Sequence, residues 1–174
     1  MKNTTVVKFT LLLSMLTPAS QLLAQQANAS VNAIRVTGYA GIMHPIVTFG
    51  NDRAKFNFNG TYTGGLVTGI NLWKSQRIGF SFETVGIITA GNGTSKMSNL
   101  LLHPGLLIGL GNGFTLANRA AFETSGRYGV TAVLNKVIVK KKDHSYFIAL
   151  PIPARFGNNL PSTVGVGLQF GLSF

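Results

Sequence analysis

The chain has 174 residues, enough for one domain, with 15 Lys and Arg against 4 Asp and Glu, a formal net charge of +11, and 45% hydrophobic residues. Its basic residues are mostly scattered singly along apolar segments, with Lys140, Lys141 and Lys142 the one cluster, which argues against nucleic acid as a partner. The absence of cysteine excludes disulfides, thiolate metal sites and cysteine nucleophiles.

At the N-terminus Lys2 and Lys8 precede an apolar run, Phe9 to Leu16, followed by Pro18 and small residues. This is the pattern of a secretory signal peptide, with cleavage expected after Ala24 and Ala29 as the alternative end. Residues 25–174 then form the working domain, and loss of Lys2 and Lys8 leaves 13 basic and 4 acidic residues, a charge of +9. The longest later uncharged apolar run, Leu100 to Gly111, has 12 residues and contains Pro104. A membrane helix needs about twenty.

From Ile34 to Met43 the chain alternates, with Ile34, Val36, Gly38, Ala40 and Ile42 on one face and Arg35, Thr37, Tyr39, Gly41 and Met43 on the other, so a first strand is predicted. The polar stretch His44 to Gly60 reads as a long loop, with Phe49, Phe56 and Phe58 hinting that strands extend into it. Tyr62 to Trp73 makes a second strand, and Lys74 to Arg77 a tight turn into a third, where Ile78, Phe80 and Phe82 alternate with Gly79, Ser81 and Glu83. Gly91-Asn92-Gly93-Thr94 opens a loop to Asn99. A fourth strand over Leu100 to Leu110, the hairpin turn Gly111-Asn112-Gly113, and a fifth strand over Phe114 to Glu123 follow. The sixth and seventh strands are Tyr128 to Val139 and Ser145 to Phe156.

The final strand carries the strongest pattern. Val164, Val166, Leu168, Phe170, Leu172 and Phe174 occupy every even position, and Thr163, Gly165, Gly167, Gln169, Gly171 and Ser173 every odd one. Bulk on one face and glycine on the other suits a strand whose apolar face meets lipid. With its terminal Phe, this segment resembles the closing strand of Gram-negative outer-membrane β-barrel proteins. The resemblance implies an all-β, eight-stranded antiparallel up-and-down transmembrane β-barrel in the bacterial outer membrane, with Phe170, Leu172 and Phe174 as the signal read by the barrel-assembly machinery.

An even strand count places both termini on one side, taken as periplasmic, with short connections there and longer ones outside. With facing set by apolar positions alone, Arg35, Glu83, Arg119, Glu123 and Arg155 fall on the inner face with Tyr39 and Gln169, where lipid exposure of an Arg at mid-depth would cost about 2–4 kcal/mol. A luminal polar cluster is therefore expected, with Glu83 and Arg119 paired across it. Asn118 and Lys136 fall on the apolar parity, Lys136 near the rim, where it can snorkel, and Asn118 at either a bulge or a misplaced strand start.

Eight strands leave room for little more than their own side chains, so the lumen is expected to be plugged and the function structural or surface-directed, with a narrow solute channel and a lipid A-modifying enzyme as the alternatives. Small membrane-embedded lipid A deacylases and acyltransferases resemble the chain in size and class. None of their local motifs is present, and His44 and His103, each before a proline at an expected outer strand end, lack acidic sequence neighbours. No catalytic residue, cofactor or metal ligand is assigned. Gly109 to Gly113 precedes a strand rather than a helix and so is a turn, not a phosphate loop. Trp73, Lys74, Arg77, Lys140, Lys141 and Lys142 are expected to contact head groups on the periplasmic side, and Arg53, Lys55, Lys96 and Arg127 to face lipopolysaccharide outside. The expected partners are these lipids and the assembly machinery, and the expected state is a monomer.

Overall fold

A computed structural model describes residues 33–174 except Asp52, so the signal-peptide expectation lies outside the described residues. Within them the chain forms β1 (Arg35–Gly50), β2 (Arg53–Phe56), β3 (Tyr62–Trp73), β4 (Ile78–Gly91), β5 (Thr94–Gly111), β6 (Phe114–Glu123), β7 (Tyr128–Lys140), β8 (Ser145–Phe156) and β9 (Thr163–Ser173). Each strand pairs antiparallel with the next in the ring β1-β3-β4-β5-β6-β7-β8-β9, and β9 returns to β1, closing an eight-stranded barrel. The small β2 is not part of the ring. It pairs with the far end of β1, from Val47↔Phe56 to Gly50↔Arg53.

Closure leaves no barrel strand with an open edge. The last residue completes it, because Phe174 and Gly38 exchange backbone hydrogen bonds of 2.8 and 2.9 Å. Facing follows the alternation. Val164 and Phe170 on β9, Phe80 and Phe82 on β4, and Leu106, Phe122 and Val130 on β5, β6 and β7 are exposed on the outer wall. Buried inside are smaller residues, among them Val67, Val85, Ala117, Ala121 and Ala149, with Tyr39, Leu101, Leu107 and Phe147 the bulkier members. A girdle of large exposed aliphatic and aromatic side chains around a polar, glycine-rich interior is stable only in hydrocarbon. The fold is a transmembrane β-barrel.

Two stretches expected as loops are strand. His44 to Gly50 continues β1 and turns back as β2, so the predicted loop over His44 to Gly60 is largely a hairpin arm. Asn57 ties it to the wall by using its side-chain amide as a backbone would, accepting from Thr63 N–H at 2.8 Å and donating to Thr63 O at 2.7 Å. Gly91 to Asn99 likewise holds a two-residue turn. Asn92 and Gly93 adopt φ of 51° and 74°, the left-handed pair that hairpins favour, and Asn112 and Gly113 repeat it at the other end with 50° and 77°. Both stretches are rich in Asn, Ser, Thr, Lys and Gly and lack a clean alternation of apolar and polar residues, so their composition reads as loop although their backbones pair.

Irregularities concentrate at prolines and bulges. The β8–β9 ladder is interrupted between Ala149↔Gln169 and Ala154↔Val164, where Pro151 and Pro153 lack N–H donors. Register shifts occur at Pro45/Val47, Ile87/Ile88, Gly109/Gly111 and Val137/Val139. None falls at Asn118, whose pairing with Leu106 and Ala132 is regular in a strand that begins at Phe114 as predicted. Asn118 therefore stands on the lipid face in its own right. Lys136 also faces outward, with its ammonium donating to Asn112 O at 2.6 Å and resting 4.1 Å from the Phe114 ring centroid.

Candidate functional site

The lumen divides into two levels, reached from opposite ends. At the end carrying the C-terminus, the inward positions of β1, β3, β5, β6, β7, β8 and β9 enclose a cavity of about 360 Å³, here called the vestibule. Its lining runs from Arg35, Trp73, Lys140 and Ser173 at the mouth to Tyr39, Arg119 and Gln169 at the roof. Beyond that roof the interior is filled.

The filling is a hydrogen-bonded chain of charged groups. Glu83 on β4 is 3% exposed; its Oε2 lies 3.4 Å from Arg119 Nη1 on β6 and accepts from Tyr39 Oη on β1 at 3.0 Å. Arg119 Nη2 donates to Tyr39 Oη at 3.1 Å and to Ser81 Oγ at 3.2 Å. Two absent side chains make room for these groups. A Cβ at Gly69 would strike the Tyr39 phenol, and one at Gly105 would lie 2.5 Å from Arg119 Cγ.

His103 on β5 links this pair to a second one. Its Nδ1 is 3.0 Å from Glu83 Oε1, while Nε2 is 3.1 Å from Arg155 Nη2 on β8 and 3.2 Å from Thr131 Oγ1 on β7. A guanidinium has only donors, so Nε2 must accept and the proton sits on Nδ1, donated to Glu83. The imidazole is neutral in this arrangement. Arg155 Nε then donates to Glu123 Oε1 at 2.8 Å, and the other Glu123 oxygen accepts from Asn99 Nδ2 at 2.7 Å and Ser125 Oγ at 2.9 Å. Two carboxylates and two guanidiniums, carried by β4, β6 and β8, thus balance. Buried charges persist in a low-dielectric interior when so paired and hydrogen-bonded.

The structure brings together four of the five residues expected in the luminal cluster and leaves out one. Arg35 has the inward parity but lies exposed at the mouth, its guanidinium 5.5 Å from the Trp73 ring centroid. Trp73 itself is a correction: it was expected at the lipid interface, yet it faces the lumen and is 9% exposed. Position 73 shares the inward parity of Val67, Gly69 and Asn71 on β3, and that parity outweighs the usual preference of Trp for head groups. Lys74, Arg77, Lys140, Lys141 and Lys142 are exposed around the same rim. Phe170 and Phe174 are exposed on the outer wall, with Leu172 partly covered between them.

His103 is the residue that sequence reading missed. Placed at an outer strand end, it lies in mid-lumen, because β5 begins six residues earlier than expected, at Thr94. Apolar residues on both parities of Leu100 to Leu102 and Leu106 to Ile108 hid the facing. Gly105 and Gly109 share the parity of His103, and glycine marks the inner face on β9 as well. That was the available signal. His44 faces outward instead, 2.6 Å from Tyr62 Oη, with the Phe58 ring stacked on Tyr62.

Glu83, His103 and Thr131 have the carboxylate, imidazole, hydroxyl order of a nucleophilic triad. The order does not work as one. The lone pair that would deprotonate Thr131 already accepts from Arg155, and the hydroxyl itself receives Arg155 Nη1 at 3.0 Å. Among the described residues no group of three or more His, Cys, Asp or Glu side chains is arranged to hold a metal ion.

No family model and no curated protein matches the chain. Among solved structures, it is similar to the de novo designed TMB2.3, at 11% identity and a TM-score of 0.48 over 84% of this chain and 97% of that one. It is also similar to the outer membrane protein OprG from Pseudomonas aeruginosa, at 11% identity and a TM-score of 0.42 over 82% of this chain and 97% of that one. The pairing pattern and the apolar outer wall identify the chain as an eight-stranded antiparallel transmembrane β-barrel.

Proposed function

We propose that the protein is a non-enzymatic, integral barrel of the bacterial outer membrane, serving envelope structure or contacts made at its outer face, and that its lumen does not conduct. One observation carries this reading: the Arg119–Glu83–His103–Arg155–Glu123 chain crosses the barrel with its charges paired, at 3.4 Å for Arg119–Glu83 and 2.8 Å for Arg155–Glu123. A solute path through it would have to break buried ion pairs, each break costing about 3–5 kcal/mol.

In this reading the leader ends after Ala24 or Ala29, the side bearing the C-terminus is periplasmic, and Phe170, Leu172 and Phe174 are read by the assembly machinery. Lys74, Arg77, Lys140, Lys141 and Lys142 ring the periplasmic mouth and meet anionic head groups. At the other end the β1–β2 arm presents Phe49, Phe56 and Phe58, all well exposed, to the outer leaflet.

The test is planar-bilayer recording of refolded protein whose folded state is checked by heat-dependent gel mobility. No discrete conductance steps are expected. Reproducible steps would instead support the narrow channel that the vestibule half of the lumen favours. Mass spectrometry of lipid A from cells with and without the gene checks the absence of an activity on lipid, and a mass change dependent on the gene would overturn that part.

A further inference from the structure

The vestibule has a chemistry that plugging does not need. Its lining includes Arg35, Arg119 and Lys140 and not one carboxylate. Glu83 stands behind the roof, bound to the Arg119 Nη1 end and to His103, so it offsets Arg119 and leaves Arg35 and Lys140 uncompensated at the mouth. Around them Lys74, Arg77, Lys141 and Lys142 outnumber the one acidic side chain of this rim, Asp143. A dead-ended cavity with low-dielectric walls and a surplus of one sign concentrates ions of the other.

The roof also holds an unused donor. Arg119 is 7% exposed, and its Nε is buried without a hydrogen-bond partner among the described residues, although both Nη atoms are engaged. Asn71 Oδ1, in the wall, is likewise an unpartnered buried acceptor. Buried polar atoms are nearly always satisfied, so two lining residues that each keep an unpartnered polar atom give this lining polar capacity that the protein itself does not use. Water can supply hydrogen bonds in the cavity but neutralises no charge. Inward of the mouth, where the Trp73 indole stands, the walls include Leu107, Val133 and Phe147, all apolar. At about 360 Å³ the space lies in the range of small-molecule sites.

We propose that the vestibule binds a small organic anion, a carboxylate, sulfonate or phosphate on a flat apolar body, entering at the end of the barrel that carries the C-terminus. The anionic group is drawn past Arg35 and Lys140, the body lies against Trp73 and Phe147, and Arg119 closes the far end. The site is independent of whether the lumen conducts. Which compartment supplies the anion rests on the orientation proposed above, whereas binding in detergent, where both ends are open, does not.

Trp73 is the one tryptophan of the chain, so its fluorescence reports on this cavity alone. The refolded mature protein in a zwitterionic detergent, at fixed ionic strength, is titrated with 4-nitrobenzoate and separately with its neutral isostere 4-nitrobenzamide. The expected result is saturable quenching by the benzoate, with a midpoint at least about tenfold lower than for the amide, equivalent to about 1.4 kcal/mol. The double variant Arg35→Gln/Lys140→Gln should raise the benzoate midpoint about tenfold while keeping the folded gel mobility, whereas the rim variant Lys74→Gln/Lys141→Gln should hold it within about twofold. Quenching that does not saturate, equal midpoints for the two probes, no shift in the Arg35/Lys140 variant, or an equal shift in the rim variant would each overturn the proposal.

Discussion

The two levels of the lumen both carry arginine and reach opposite electrostatic ends. Above the roof, Arg119 and Arg155 each meet a carboxylate, and His103 joins the two pairs by accepting from one side and donating to the other. Below it, Arg35 and Lys140 meet no acid in the vestibule lining, and Arg35 rests on an indole. Position explains the difference. Mid-lumen charges are cut off from water and must be neutralised within the protein, while the mouth is wet enough to leave a cation solvated. The filled level therefore holds the barrel in register, and the open level is free to meet a solute.

That contrast makes graded predictions, measured as reversible denaturant unfolding in lipid vesicles. The largest effect belongs to Glu83→Gln, which strips Arg119 of its buried counter-charge and should lower the unfolding free energy by about 3–5 kcal/mol. Unchanged stability together with altered conductance would reverse the assignment of this level as a plug. His103→Phe should cost about 1–3 kcal/mol, since Glu83 Oε1 and Arg155 Nη2 both lose a partner without any change of formal charge. A smaller, opposite shift tests the outer wall: Asn118→Leu replaces a lipid-facing amide and should raise stability by about 1 kcal/mol. Least of all, Arg35→Gln should change stability by less than about 1 kcal/mol, because an exposed cation over an aromatic ring is worth little more. A loss as large as that of Glu83→Gln would erase the distinction between the levels.

Much of this organisation was legible from alternation. Phe170 against Gln169 and Phe80 against Ser81 revealed which face meets lipid, and that facing placed Glu83, Arg119, Glu123 and Arg155 inside without any contact being known. Legibility failed where alternation carried no contrast. Leu100, Leu101 and Leu102 follow one another on β5, so His103 lost its facing. Arg53, Lys55 and Asn57 look like loop residues, although β2 and the end of β1 are paired, because backbone pairing places no demand on side-chain polarity. Trp73 was misplaced by weighing residue preference above parity.

The sequence by itself determined the class of fold and the facing of most strands, since period-2 alternation is local and a charge facing lipid at mid-depth is costly. Only the tertiary structure decided which charges meet, that His103 couples them, and that the lumen is filled at one level and hollow at the other. Those outcomes depend on the stagger between strands and on the reach of side chains across the barrel, and neither is encoded within a single strand.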